Sequence, residues 1–160
     1  MERVWTLTDT AVTVTLVDFA DPALAGEPDV RERGVRLEVR PVTWSTTGSI
    51  YSSPAMTIEP AVLRVDLLES APGAADRMHW HPQMSDGEPG DREFDRSMVA
   101  DPVGWTRELL TTLDDRVGAD AAAEIRGATE EVLVEVERTL AQARLPWPDV
   151  VHDERGLAVG

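Results

Sequence analysis

Apolar residues recur along this chain at two different spacings. Over the first half they alternate with polar ones. Val12, Val14 and Leu16 alternate with Thr13 and Thr15; Val35, Leu37 and Val39 with Arg36, Glu38 and Arg40; Leu63, Val65 and Leu67 with Arg64 and Asp66. Period two in β-branched and aliphatic residues predicts half-buried antiparallel strands. Val4 to Thr8 reads as a further strand, joined to the next by a turn at Asp9-Thr10. Arg77 to His81 is a short alternating stretch that Pro82 closes, and Pro41 is expected to end the Val35 strand. Residues 18–34, with Pro22, Gly26 and Pro28, and the Ser/Thr/Gly-rich residues 45–54 read as loops.

After Pro102 the spacing changes. Asp101-Pro102 is a helix start, an N-cap acid followed by proline at the first helical position. Val103, Thr106, Leu109, Leu110, Leu113 and Val117 then share one side, and Gly118 is placed to end the helix. From Asp120 a second helix carries Ile125, Thr129, Val132, Val136, Leu140 and Ala143 on one face, and Leu145-Pro146-Trp147-Pro148 stops it. The short link at Gly118-Ala119 predicts an antiparallel helix pair. Strands followed by helices predict an α+β fold. Its antiparallel sheet, free to curl towards a barrel, comes from the N-terminal half and is covered by the C-terminal helix pair. The whole chain is expected to be one domain: strand-rich to residue 82, an acidic turn-rich loop over 83–100, helical over 101–145, and a tail from 146.

Composition narrows what such a domain can do. The formal net charge is -15, from 15 Lys+Arg against 30 Asp+Glu. Nucleic acid and anionic membranes are therefore not expected as partners, because both are held by clustered cations. No apolar run approaches the roughly 20 residues a membrane span needs. The N-terminus lacks the basic and apolar stretches of a signal peptide, so a cytoplasmic location is expected. Cys, Lys and Asn are absent. That removes thiol chemistry, Cys-ligated zinc and lysine Schiff bases, and leaves carboxylates, hydroxyls, three His and a metal as the means of catalysis.

The candidate chemistry centres on His79 and His81. Two His at i, i+2 on a strand share a face and can both reach one divalent transition metal. Asp86 and Glu88 are the expected third ligands, since the Pro82 turn and Gly87 let the chain double back; His152 can arrive from the C-terminal tail. Two His and one carboxylate with open positions make a mononuclear site that activates water or oxygen.

Gly73, five residues, then His79-Trp80-His81 resembles the opening of the first conserved motif of the cupin superfamily, and the strand and turn before it (residues 62–73) look similar too. The resemblance implies a small double-sheet barrel holding a metal through this His pair, a nearby Glu and a later His. Where cupins place that Glu, this chain has Asp86 with Glu88 two residues on, and the stretch where the second motif would fall is helical.

Other readings of the same residues stand beside the metal site. If Met78 and Trp80 face the core, His79 and His81 sit on a solvated polar face among charge ladders of Arg36, Glu38, Arg40, Arg64 and Asp66. If that face lines a cavity, Arg36, Arg40, Arg64 and Arg77 surround a small anionic ligand. A non-catalytic module is the third reading, binding a protein partner or a second copy through loop 83–98 or the acidic helix face. Asp91, Glu93 and Asp95 resemble a calcium loop, but without the Gly and Glu of EF-hand spacing.

Overall fold

The computed structural model describes residues 2–20, 31–149, 151–152 and 158–159. Six strands form one antiparallel sheet: β1 (Glu2–Thr6), β2 (Thr10–Ala20), β3 (Arg31–Ser45), β4 (Ala55–Ile58), β5 (Leu63–Glu69) and β6 (His79–His81). The order across the sheet is β1-β2-β3-β5-β6, with β4 paired to the far end of β3. Two short hairpin pairs follow, β7 (Met84–Ser85) with β8 (Glu88–Pro89) and β9 (Val151–His152) with β10 (Ala158–Val159). The helices are α1 (Arg96–Ala100), α2 (Pro102–Thr111), α3 (Asp114–Val117) and α4 (Ala119–Ala143). The α+β expectation holds, and the sheet is open rather than closed into a barrel.

Alternation decides which face meets the helices. Val12, Val14, Val35, Leu37, Val39, Leu63, Val65 and Leu67 join Leu109, Leu110, Leu113, Ile125, Val132, Val136 and Leu140 in one buried cluster. The helices thus cover one side of the sheet, with α4 crossing β1, β2 and β3. Arg107 of α2 pairs with Glu130, and Asp114 of α3 with Arg126. Those pairs run in opposite order along the chain, so α4 packs antiparallel to the α2–α3 segment. At its C-terminal end, Arg144 reaches Glu69 of β5, with Nη2 to Oε1 at 2.6 Å.

Several element ends differ from expectation, each for a local reason. β2 runs to Ala20 and β3 begins at Arg31, so the expected 18–34 loop is shorter; the rest of it, residues 21–30, lies outside the described residues. β3 passes through Pro41 because that residue sits where the strand changes partner. Thr10↔Pro41 is the last pair with β2, and Val42↔Ile58 opens the ladder with β4. The missing N–H therefore costs no ladder bond there. The predicted helix 102–117 breaks at Thr112. The Thr111 and Thr112 hydroxyls donate to the carbonyls of Arg107, Glu108 and Leu109, in competition with helix continuation. The expected acidic loop over 83–100 ends in α1, a single turn capped by Asp95, whose carboxylate accepts from the Ser97 N–H.

Candidate metal centre

The face of the sheet turned away from the helices is a lattice of charged and polar side chains. Strand register sets two rows across it. One row is Thr15, Arg36, Asp66 and His79; the other is Thr13, Glu38, Arg64 and His81. Signs alternate within and between the rows, so the cross-strand neighbours attract. Arg36 Nε donates to Asp66 Oδ1 at 2.7 Å, and Arg64 Nε to Glu38 Oε1 at 2.7 Å. Arg40 donates to the other oxygen of Glu38. Burial works most strongly against ionising Glu38, but Arg40 and Arg64 outweigh it and hold the carboxyl below its ordinary pKa.

The long arginines leave the shorter groups beneath them shielded. Thr13, Glu38, Asp66, His79 and His81 are all buried. The expectation of a solvated His pair therefore fails on this face. Met78 and Trp80 face the helix side, as that reading required, yet His79 and His81 are only 5% and 3% exposed.

A short connection places β6 against β5. Glu69 Oε2 accepts from the Gly73 N–H at 2.7 Å, and Asp76 accepts from both the backbone and the hydroxyl of Ser70. These bonds lock the 70–76 turn, and with it the register that sets Asp66 opposite His79.

Each imidazole is then oriented by a backbone carbonyl. His79 Nδ1 lies 2.9 Å from the Arg77 carbonyl and His81 Nδ1 lies 3.0 Å from that of Gly90. A carbonyl oxygen can only accept, so both rings carry a proton on Nδ1, and Nε2 is the nitrogen whose lone pair is free in the neutral ring. Burial, with smaller contributions from the charge of Arg92 and from His81, pushes the His79 pKa below its ordinary 6.5; the Arg77 carbonyl and Asp66 oppose the shift. His79 is therefore neutral at neutral pH. Its Nε2 stands 3.5 Å from Asp66 Oδ2, too long for a good hydrogen bond, and with a neutral ring it is not an ion pair either.

Lone pairs facing one another without a proton between them repel unless a cation joins them. Asp66, His79 and His81 each offer one ligand atom, all within 4.8 Å of one another. Tetrahedral zinc holds nitrogen ligands at about 2.0–2.1 Å, which sets them about 3.3 Å apart, so small rotations of these side chains suffice to close the site. The carbonyl bonds at Nδ1 are the second-layer contacts that metal-bound histidines commonly make.

The structure separates the expected site residues. His79 and His81 come together, and their carboxylate partner is Asp66, which the alternation had placed on the polar face only as part of a charge ladder. Asp86 and Glu88 stay out of the cluster. The β7–β8 turn, with Asp86 at φ 51°, leaves both carboxylates exposed. The side chain of His152 lies outside the described residues. Of the four arginines expected around an anion, Arg36 is engaged by Asp66, and Arg40 and Arg64 by Glu38. Arg77 contributes the carbonyl that orients His79. Asp95, a candidate calcium ligand, caps α1 and accepts from the Trp105 indole at 3.0 Å. No helix is long and apolar enough to cross a membrane among the described residues. Compared with family models, curated proteins and solved structures, the chain matches none.

Proposed function

We propose that this protein binds a divalent transition metal through Asp66, His79 and His81, and that the open coordination positions bind or act on a small molecule. The observation that carries the reading is the buried Asp66–His79–His81 group, with ligand atoms within 4.8 Å of one another and both rings held by carbonyls at Nδ1, which leaves Nε2 as the nitrogen for a metal. An N2O donor set suits zinc, iron(II), nickel and copper and leaves room for further ligands. The same segment carries the likeness to the cupin opening motif. The proposal extends to it: the His pair fills the role that the likeness implies, with Asp66 supplying the carboxylate from the preceding strand.

Isothermal titration of zinc, nickel and iron(II) into untagged protein tests the site. One equivalent should bind to the wild type. His79→Ala, His81→Ala and Asp66→Ala should each weaken binding by more than the roughly 10–100-fold typical of losing an outer-layer contact. Equal, weak binding by all four proteins would remove the metal centre.

A second reading, as an interaction module, is favoured by the β3–β4 hairpin. Ile50 and Tyr51 at its tip are 91% and 90% exposed, and Trp44 and Met56 are paired along its stem with much of their surface in solvent. Apolar side chains so placed suit a protein partner, a second copy included. If they form a self-interface, light scattering should give a mass above 17.5 kDa that falls back to it in an Ile50→Ser/Tyr51→Ser variant.

A further inference from the structure

The edge of the sheet brings two more side chains to the proposed metal centre. Trp80 and Glu93 exchange both backbone hydrogen bonds, at 3.0 and 2.9 Å, so residues 92–94 lie antiparallel beside β6. In that register Phe94 falls opposite His79 and Arg92 opposite His81. Trp80 points to the helix side, so the alternation sets Arg92 and Phe94 on the face of the two His rings. The Phe94 ring centroid is 5.9 Å from that of His79, and the charge of Arg92 is close enough to act on His79.

Arg92 differs from the other arginines on this face. Arg36, Arg40 and Arg64 are each held by a carboxylate. Arg92 is exposed and makes no hydrogen bond or ion pair with another described residue. A divalent ion held by one carboxylate and two neutral imidazoles keeps a net positive charge. Beside it stands the Arg92 guanidinium, with which no acid pairs among the described residues, and Phe94 provides an apolar wall. In a chain of net charge -15, this is a local reversal of sign.

Resting on the metal reading, we infer that the small molecule bound here is a short dicarboxylate, one end coordinating the metal and the other taking the forked N–H groups of Arg92. The hydrocarbon between its ends packs on Phe94. The ligand approaches from the side of Arg92 and Phe94, which are exposed while the three metal ligands are buried.

Cobalt(II)-loaded protein provides the test, because its visible absorption reports changes in coordination. Cobalt binding is measured first, in wild type and in Arg92→Gln, so that both are titrated fully loaded; losing the cation beside the site should leave cobalt binding intact or tighter, never weaker. Succinate is then titrated into both, with neutral succinamide as control. Wild type should respond to succinate and not to succinamide. Arg92→Gln should bind succinate about ten- to a hundredfold more weakly, the size expected for losing a charged hydrogen-bonded contact. Arg92→Lys should recover part of the loss. Equal succinate affinity in wild type and Arg92→Gln, or an equal response to succinamide, would overturn the assignment while leaving the metal centre standing. Failure of cobalt to bind the wild type would remove the metal centre and this ligand with it.

Discussion

Protons and metal compete for the same two Nε2 lone pairs, and burial makes His79 a poorer base for the proton. Its pKa in the folded protein lies below the ordinary 6.5, chiefly because burial disfavours the charged ring. Metal release on acidification should therefore have its midpoint below pH 6.5, measured by zinc titrations at a series of pH values. The same shift acts on the metal-free fold. A base whose pKa is lower folded than unfolded takes up more protons in the unfolded chain, so stability declines once pH falls below the unfolded value. Thermal melts of metal-free protein should lose stability starting near pH 6.5, and this part of the profile should be absent in His79→Gln. Glu38 acts in a lower window. Its folded pKa lies below 4.5, so the stability it contributes is present above that value and is lost as pH falls further. A melting temperature flat from pH 7 down to 5 in the wild type would contradict the buried, neutral state of His79.

At the level of strands and helices, the site depends on how closely β3 approaches β5. A Cβ on Gly34 would lie 2.0 Å from the Leu67 carbonyl oxygen and 2.8 Å from the Leu68 Cα, both backbone atoms of β5. Gly34→Ala must push the two strands apart, two residues from the Arg36–Asp66 pair. We expect a loss of about 3 kcal/mol or more in urea unfolding, at or beyond the upper end of ordinary overpacking. The paired control is Gly127→Ala in α4, where an added methyl meets nothing within 4 Å and should stabilise by roughly 0.5–1 kcal/mol. A neutral Gly34→Ala would mean that β3 and β5 do not approach each other so closely. The same strands mark how far sequence reasoning reaches. Period-two runs such as Val35-Leu37-Val39 assigned the helix-facing side without ambiguity, and the 3.6-residue spacing found α4 almost to its ends. His79 and His81 were legible as a pair because i, i+2 spacing on a strand is local. Asp66 was legible as a polar-face residue but not as their partner. Its position opposite His79 depends on the register across the 70–76 turn, which is held by Glu69, Ser70 and Asp76. The 92–94 edge segment was hidden for the same reason, a single backbone pair closing over an acidic loop.

On the scale of the whole molecule, a metal at this site joins pieces that the chain's cores hold only in part. Asp66 belongs to β5, His79 and His81 to β6, and the His81 ring is tied through the Gly90 carbonyl to the loop beyond β8. Helices α2 and α4 cover the opposite face, so they do not hold this edge from the ligand side. Unfolding separates the three ligands, and an unfolded chain with no Cys and three His competes weakly for the ion. Ligand present at a hundred times its Kd then stabilises the native state by about 2.7 kcal/mol. For a chain of this length that is a rise in Tm of roughly 5–10 °C. The net charge of -15 complicates the reading, because any divalent cation screens the self-repulsion of an acidic surface and raises stability a little. Magnesium and calcium report that general effect, since hard cations favour all-oxygen sites over paired imidazoles. Zinc or nickel should therefore raise Tm well beyond an equal concentration of magnesium, and the excess should vanish in His81→Ala while the magnesium response is unchanged. If zinc and magnesium shift wild type and variant alike, cations are acting on the acidic surface alone, and His79, His81 and Asp66 are a buried polar cluster without an ion.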